Sequence, residues 1–526
     1  MLKHTFILIY RNLRRFKSTF YINIIGLTAG FACGLLIYLW IHDEFRFDKY
    51  HENNDRLYQV MYHEKTDADV KTSGQTPYFL AEALRIEIPE IQYTAVTTPP
   101  MFFPDFTISS NGKLLKAIGK FVERDFFHMF SHNLLVGNAE DVLSNANSVV
   151  ISESLAMRLF NSTQNVIGKP LDYELLHSKK QVFISGIFRD VPAHSSERFD
   201  FILSFQIIRG FMGLPNQVYT WDYTDPFYTY VMLKDGADVS SINRKLENYI
   251  SAKSTTSPFS LFLKPYSDFY LYGKYENGRP NGGRIDYVIL FSIIGVFILL
   301  IACINFINLS TAKARTRLKE IGIKKVIGVS RKSLIFQYLS ETIFLSCVSL
   351  LSALIVVYLL LPEFNVITGK SLQLSFNFEW IAGLILITLT TGLIAGIYPA
   401  LYISGFHPAR IFKNQVSGSL GELLVRKGLV VFQFALSITF IISVLVIYHQ
   451  IEFLQSKDLG YRKDNLLYFS ADGNINGKAP IFLDEVRRFH GVVSASSMFG
   501  SLTGDFNGLP GFIEYRERKL LCTSSL

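Results

Sequence analysis

Residues 287–312 read YVILFSIIGVFILLIACINFINLSTA, 26 positions without one charged side chain. A bilayer core about 30 Å thick needs roughly 20 apolar residues at about 1.5 Å rise each, so this run can cross it as a helix. Four other charge-free runs meet the same test: 18–41, 342–362, 380–406 and 428–448. Buried helices of soluble proteins are shorter and usually carry charge along one face, so five such runs read as five membrane spans. Charged residues make up 18% of the chain, against about 25% in soluble domains.

The first run is too long for the apolar core of a cleaved leader. The bulky Tyr38-Leu39-Trp40-Ile41 stands where small residues would mark a cleavage site. Orientation follows from the basic residues of the short connections. Lys3, Arg11, Arg14, Arg15 and Lys17 precede the first span, and the first acid is Asp43. The second-to-third connection holds Lys313, Arg315, Arg317, Lys319, Lys324, Lys325, Arg331 and Lys332. The fourth-to-fifth connection holds Arg410, Lys413, Arg426 and Lys427, and the third-to-fourth only Lys370. The N-terminus and both basic connections are therefore expected in the cytoplasm. Residues 43–286, and those after Tyr448, are expected outside it. The net charge of +8 sits beside apolar runs, which points to lipid and not to nucleic acid.

The expected architecture is an α-helical transmembrane bundle of five spans with a mixed α+β extracytoplasmic domain. Its parts are a cytoplasmic tail (1–19), a first span (20–42), an outer domain (43–285) and a permease region (286–406). The permease region holds spans at about 287–310, 338–361 and 380–403. A cytoplasmic linker (407–427), a fifth span (428–449) and a second outer segment (450–526) follow. Within the outer domain, 148–152 and 181–186 alternate as strands, 153–160 and 78–88 have helical spacing, and Asn111-Gly112 marks a hairpin turn.

Catalytic chemistry finds no support. His128 and His132 could share a helix face, but Met129 stands where a metalloprotease motif needs Glu, so they read as two surface histidines. His194 and Ser195 are adjacent in sequence and do not make a triad. Cys33, Cys303 and Cys347 lie in apolar runs and Cys522 in the tail, so the outer domain has no cysteine for a disulfide or a zinc site. Gly369-Lys370-Ser371 mimics the end of a phosphate-binding loop, but Phe364 occupies the position of its first glycine. No catalytic, cofactor or metal residue is assigned. Asn23, Asn305, Asn308 and Gln433 lie inside spans and are expected to bond between helices.

The second connection is the most informative. In 319–330, KEIGIKKVIGVS, apolar residues alternate with charges around Gly322 and Gly328, as in a short amphipathic element at a membrane surface. This block, with Gln337 and Glu341 after it, resembles the MacB/FtsX-like ABC transporter permeases. So do Tyr398-Pro399-Ala400, 404–408 (SGFHP), 149–160 with Ile167-Gly168-Lys169, and Arg11-Asn12-Leu13. The resemblance implies a MacB-type periplasmic core domain joined to an FtsX-like membrane domain in the inner (cytoplasmic) membrane. It implies no cofactor, and partners that include a separate cytoplasmic ABC ATPase subunit, lipid, and a dimer or pseudo-dimer of permease units. Glu320, Gly322, Lys324, Lys325 and Gly328 are then the candidates for coupling to that ATPase. The implied function is mechanotransmission or export of a peptide, drug or lipoprotein at the outer face. The alternative is FtsX-like regulation of a cell-wall hydrolase.

An internal repeat is also expected. The Arg14-Arg15 pair, the first span and Tyr58 recur as Arg426-Lys427, the fifth span and Tyr468, at an offset of about 410 residues. Residues from about 420 onward then read as the start of a second, incomplete unit.

Overall fold

The structure, a computed structural model, describes residues 17–67, 69–99, 106–175, 178–213, 220–222, 224–312, 314–375, 377–405, 420–457, 465–467, 478–497, 511–515 and 518–522. Arg11-Asn12-Leu13 and Tyr468 lie outside these residues. Five helices are long and apolar enough to cross a membrane, and the first of them, α1, spans Lys17–Arg46.

Beyond α1 the chain builds one 14-stranded sheet. Its strands are β1 (Leu57–Lys65), β2 (Val70–Ser73), β3 (Gln75–Thr76), β4 (Ile91–Thr97), β5 (Phe106–Ser110), β6 (Lys113–Ala117) and β7 (Gly119–Val122). They continue as β8 (Leu134–Val136), β9 (Ser148–Ser152), β10 (Pro170–Leu175), β11 (Ser178–Phe188), β12 (Phe201–Ser204), β13 (Phe227–Leu233) and β14 (Phe259–Pro265). The main path runs β14-β1-β13-β4-β7-β12-β9-β11-β10-β5-β6, with β2, β3 and β8 paired at its side. The β9–β11 and β7–β12 pairs are parallel, which makes the sheet mixed. Between strands lie α2 (Leu80–Glu87), α3 (Phe126–Met129), α4 (Glu153–Phe160), α5 (Phe205–Phe211) and α6 (Val239–Glu247).

Local sequence accounts for several of these elements. The five residues of β9 are all buried, and α4 follows at once because the Ser152 hydroxyl accepts from the Leu155 N–H, an N-cap. Leu155, Ala156 and Leu159 form the buried stripe of α4, and Asn161 ends it in the left-handed region. Asn111 (φ 50°) and Gly112 (φ 73°) make the two-residue turn between β5 and β6 with both residues at positive φ, as the strand twist requires.

The expectation of two surface histidines fails for His132, which is buried. The helix holding His128 ends at Met129, so the two histidines share no helix face. His128 stacks on Tyr93, whereas His132 is buried among Phe126, Phe199 and His51. Burial, then His51 and Lys120, hold His132 well below the usual histidine range, so it is a neutral core residue and not a surface one.

The joint between α1 and the sheet turns on Asp48, which adopts φ 59° and is fully buried. Its N–H donates to the His194 carbonyl at 3.0 Å, and its Oδ1 accepts from the Ser196 N–H at 2.8 Å. The adjacent His194 and Ser195 thus belong to the loop that clasps this joint. Beside it, buried Lys120 pairs with Glu197, which also accepts from the Tyr230 hydroxyl.

The other spans are α7 (Arg284–Ala312), α9 (Arg331–Thr368), α10 (Phe378–Ser404) and α11 (Leu420–Ser456), with α8 (Ala314–Val326) between α7 and α9. In lipid an apolar side chain gains little by touching another helix, so packing depends on close backbone approach. Gly26, Gly30 and Gly34 supply that approach for α1 against α7. A methyl group on Gly30 would sit 2.6 Å from Ala302 Cβ, and one on Gly26 3.2 Å from Asn305 Nδ2. Leu27, Phe31, Leu35 and Leu39 of α1 join a buried core shared with α7, α9 and α10. Of the four polar residues expected to bond between helices, Asn23 and Asn308 have buried Oδ1 atoms that accept no hydrogen bond. The fifth apolar helix, α11, meets α7 through Phe297 and Phe440, and its apolar window is not buried.

Candidate functional site: the elbow between the second and third spans

The KEIGIKKVIGVS block forms the end of the helix α8, a turn and the cap of α9, a helical elbow. The helix α8 runs through Gly322 without a break, and Gly322 is buried. The turn comes at Gly328, whose φ of 97° suits a residue without Cβ. Its N–H donates to the Lys325 carbonyl at 3.1 Å, and the Val329 N–H to the Lys324 carbonyl at 3.0 Å, which closes the end of α8. The Ser330 hydroxyl then accepts from the Ser333 N–H and starts α9. That helix has 38 residues, about 57 Å at its usual rise, so it overhangs a core of about 30 Å.

Three contacts fix the elbow. Ile321 and Leu334 are buried together with Val329, Tyr338 and Tyr402 packed on them. The Nζ of Lys325 donates to the Ser404 carbonyl at 2.7 Å, and Arg331 Nε donates to the Ser404 hydroxyl at 3.3 Å. Ser404 closes α10, where unpaired carbonyls and the negative end of the helix dipole favour cations. Burial, then the charge of Arg331, lowers the Lys325 pKa. Lys324 pairs with Glu320 one turn away at 2.8 Å and reaches Gln337 at 3.5 Å.

The five expected residues therefore do different work. Glu320 and Lys324 pair on one face of α8, Gly322 is packed inside, Gly328 makes the turn, and Lys325 ties the elbow to α10. Ile323, Val326 and Ile327 are 51%, 67% and 77% exposed. The alternation with charge indicated apolar positions here, but not which of them the bundle leaves uncovered. Ser404 and Arg331 carried no signal beyond their motif and their charge. Among the described residues, no group of three or more His, Cys, Asp or Glu is arranged as metal ligands.

Residues 20–249 match the family described as MacB-like periplasmic core domain, and 292–408 match the FtsX-like permease C-terminal family. The chain belongs to the MacB/FtsX-like ABC transporter permeases. It is a multi-pass membrane protein whose sheet domain is extracytoplasmic. One relative is the macrolide export ATP-binding/permease protein MacB of Bdellovibrio bacteriovorus, 32% identical over 192 residues. That match takes in 35% of this chain and 28% of the relative. Among solved structures, a domain of a putative permease from Porphyromonas gingivalis has TM-score 0.34 and 22% identity, over 46% of this chain and 99% of that one. The periplasmic region of MacB from Actinobacillus actinomycetemcomitans has TM-score 0.29 and 14% identity, over 41% and 90%.

Proposed function

We propose that this permease is worked by a separate cytoplasmic ABC ATPase that closes on the elbow of α8 and the start of α9. The observation that carries this reading is the apolar trio Ile323, Val326 and Ile327. These side chains stay exposed on an elbow that Lys325, Arg331 and Ile321 hold in a fixed shape. A pre-shaped apolar tip beside lysines fits a groove on a soluble partner at low ordering cost. The basic residues around it support a cytoplasmic elbow, a cytoplasmic N-terminus and residence in the inner membrane. Domain boundaries follow the spans, with the outer domain between α1 and α7, and the work delivered to it acts on a peptide, drug or lipoprotein at the outer face.

The test is co-purification of the full chain with its co-expressed ABC ATPase. Val326→Asp and Ile327→Asp should lower recovery of the ATPase at least tenfold while membrane insertion is kept. Unchanged recovery would remove the elbow as the docking site.

A further inference from the structure

The Gly369-Lys370-Ser371 tripeptide, which mimics a phosphate loop, has a different use. Gly369 ends α9 at φ 65°, its N–H donating to the Asn365 carbonyl. The Asn365 side chain brackets Leu372, donating to its carbonyl and accepting from its N–H, each at 3.0 Å. This turn sets Lys370 against the end of α1. Its Nζ lies 2.5 Å from Asp43 Oδ2 and 2.9 Å from Glu44 Oε1, and 4.9 and 5.5 Å from the ring centres of Phe47 and Trp40. The Lys370 side chain is 11% exposed, that of Glu44 2% and that of Asp43 29%, so one ammonium faces one buried and one partly buried carboxylate. Removing one side of such a contact leaves an uncompensated buried charge.

The contact reaches both supports of the outer domain. Phe47 stacks on Tyr270 with ring centres 3.9 Å apart, and Arg284, which opens α7, donates to the Tyr270 hydroxyl at 2.7 Å. The helix α1 leads into the outer domain and α7 leads out of it. Lys370 therefore joins the turn between α9 and α10 to the two helices on which the domain stands.

We propose that Lys370 is the positioning residue that seats the outer domain on the helical bundle, and that it hands movement of the α9–α10 pair to that domain. The second half rests on the elbow reading above; the seating does not.

The test uses the full chain in nanodiscs, with its four native cysteines replaced by serine and spin labels at Ile367 and Ile86, both exposed. Against a narrow distance distribution in that background, Lys370→Met should widen it at least twofold, and Lys370→Glu combined with Asp43→Lys should narrow it again. Should Lys370→Met fail to insert, Lys370→Met with Asp43→Asn and Glu44→Gln removes the contact without an unpaired charge and should widen the distribution equally. A width unchanged by loss of the contact, or not narrowed by the exchange, overturns the proposal. Loss of ATPase recovery in the elbow variants, or its absence, leaves this measurement as it stands.

Discussion

The Nζ of Lys325 lies 2.7 Å from the carbonyl oxygen of Ser404, 79 positions along the chain. This contact converts a lysine that the sequence counts as topology-setting charge into a clamp between the elbow and the end of the fourth span. With Arg331 on the same serine, two basic residues join the elbow to the end of α10. Each end of the α9–α10 pair is thus fastened by a lysine: Lys325 at the elbow, Lys370 at the outer face.

Loss of the elbow clamp should loosen the turn without unfolding the bundle. A hydrogen bond from a charged group contributes about 1.5–3 kcal/mol, roughly 10- to 100-fold in local opening. Lys325→Met should therefore speed amide exchange at 327–330 by about that factor. Unchanged exchange would show that Ile321 and Leu334 alone hold the elbow.

Gly30 should be the least tolerant position of α1. A Cβ there meets Ala302 Cβ at 2.6 Å, so Gly30→Leu forces the α1 and α7 backbones apart, at about 1–3 kcal/mol for overpacking. The buried thiol of Cys303 on the same helix as Ala302 reports it: a thiol-reactive dye should label Cys303 at a lower temperature than in the wild type. Labelling at the same temperature would show that the seam can shift without loss.

Lys120 and Glu197 form a buried pair in the outer domain. Breaking such a pair on one side costs about 3–5 kcal/mol, whereas removing both charges can be nearly neutral. Lys120→Met alone should lower the melting temperature of the outer domain strongly, and Lys120→Met with Glu197→Gln should recover most of the loss. Additive losses in the double variant would argue against the pairing.

Burial raises the Asp48 pKa from 3.8 to about 6, against the lowering effect of its bonds from Ser196. Between these values the folded state keeps a proton that the unfolded chain has released, so this group's contribution to stability falls as pH rises from about 4 to 6. The loss approaches about 3 kcal/mol. His51 works in the opposite sense: burial, then Lys120, lowers it from 6.5 to about 3, so its contribution falls on acidification. The informative quantity is therefore the difference between variant and wild type. Asp48→Asn keeps an acceptor for Ser196 and tolerates the left-handed backbone. It should be more stable than wild type above pH 6, with the gap closing below pH 4. A gap that does not change with pH would mean that Asp48 does not titrate there.

The sequence alone determined the five spans, the mixed α+β character of the outer domain, the α4 helix and the Asn111-Gly112 turn. Each depends on neighbours within one element: apolar length, side-chain period or backbone sterics. The KEIGIKKVIGVS block also singled out this segment, because its pattern is local. Tertiary structure decided what each residue there does. The partner of Lys325 is 79 positions away and those of Lys370 are 327 and 326 positions away, and no local pattern records a contact across that separation. The same limit explains His132, which reads as a surface histidine in the sequence but is enclosed by aromatic rings from a helix, a strand and a loop. Charge and hydropathy fix where a segment runs with respect to the membrane; which side chain neutralises which is fixed only when the helices have packed.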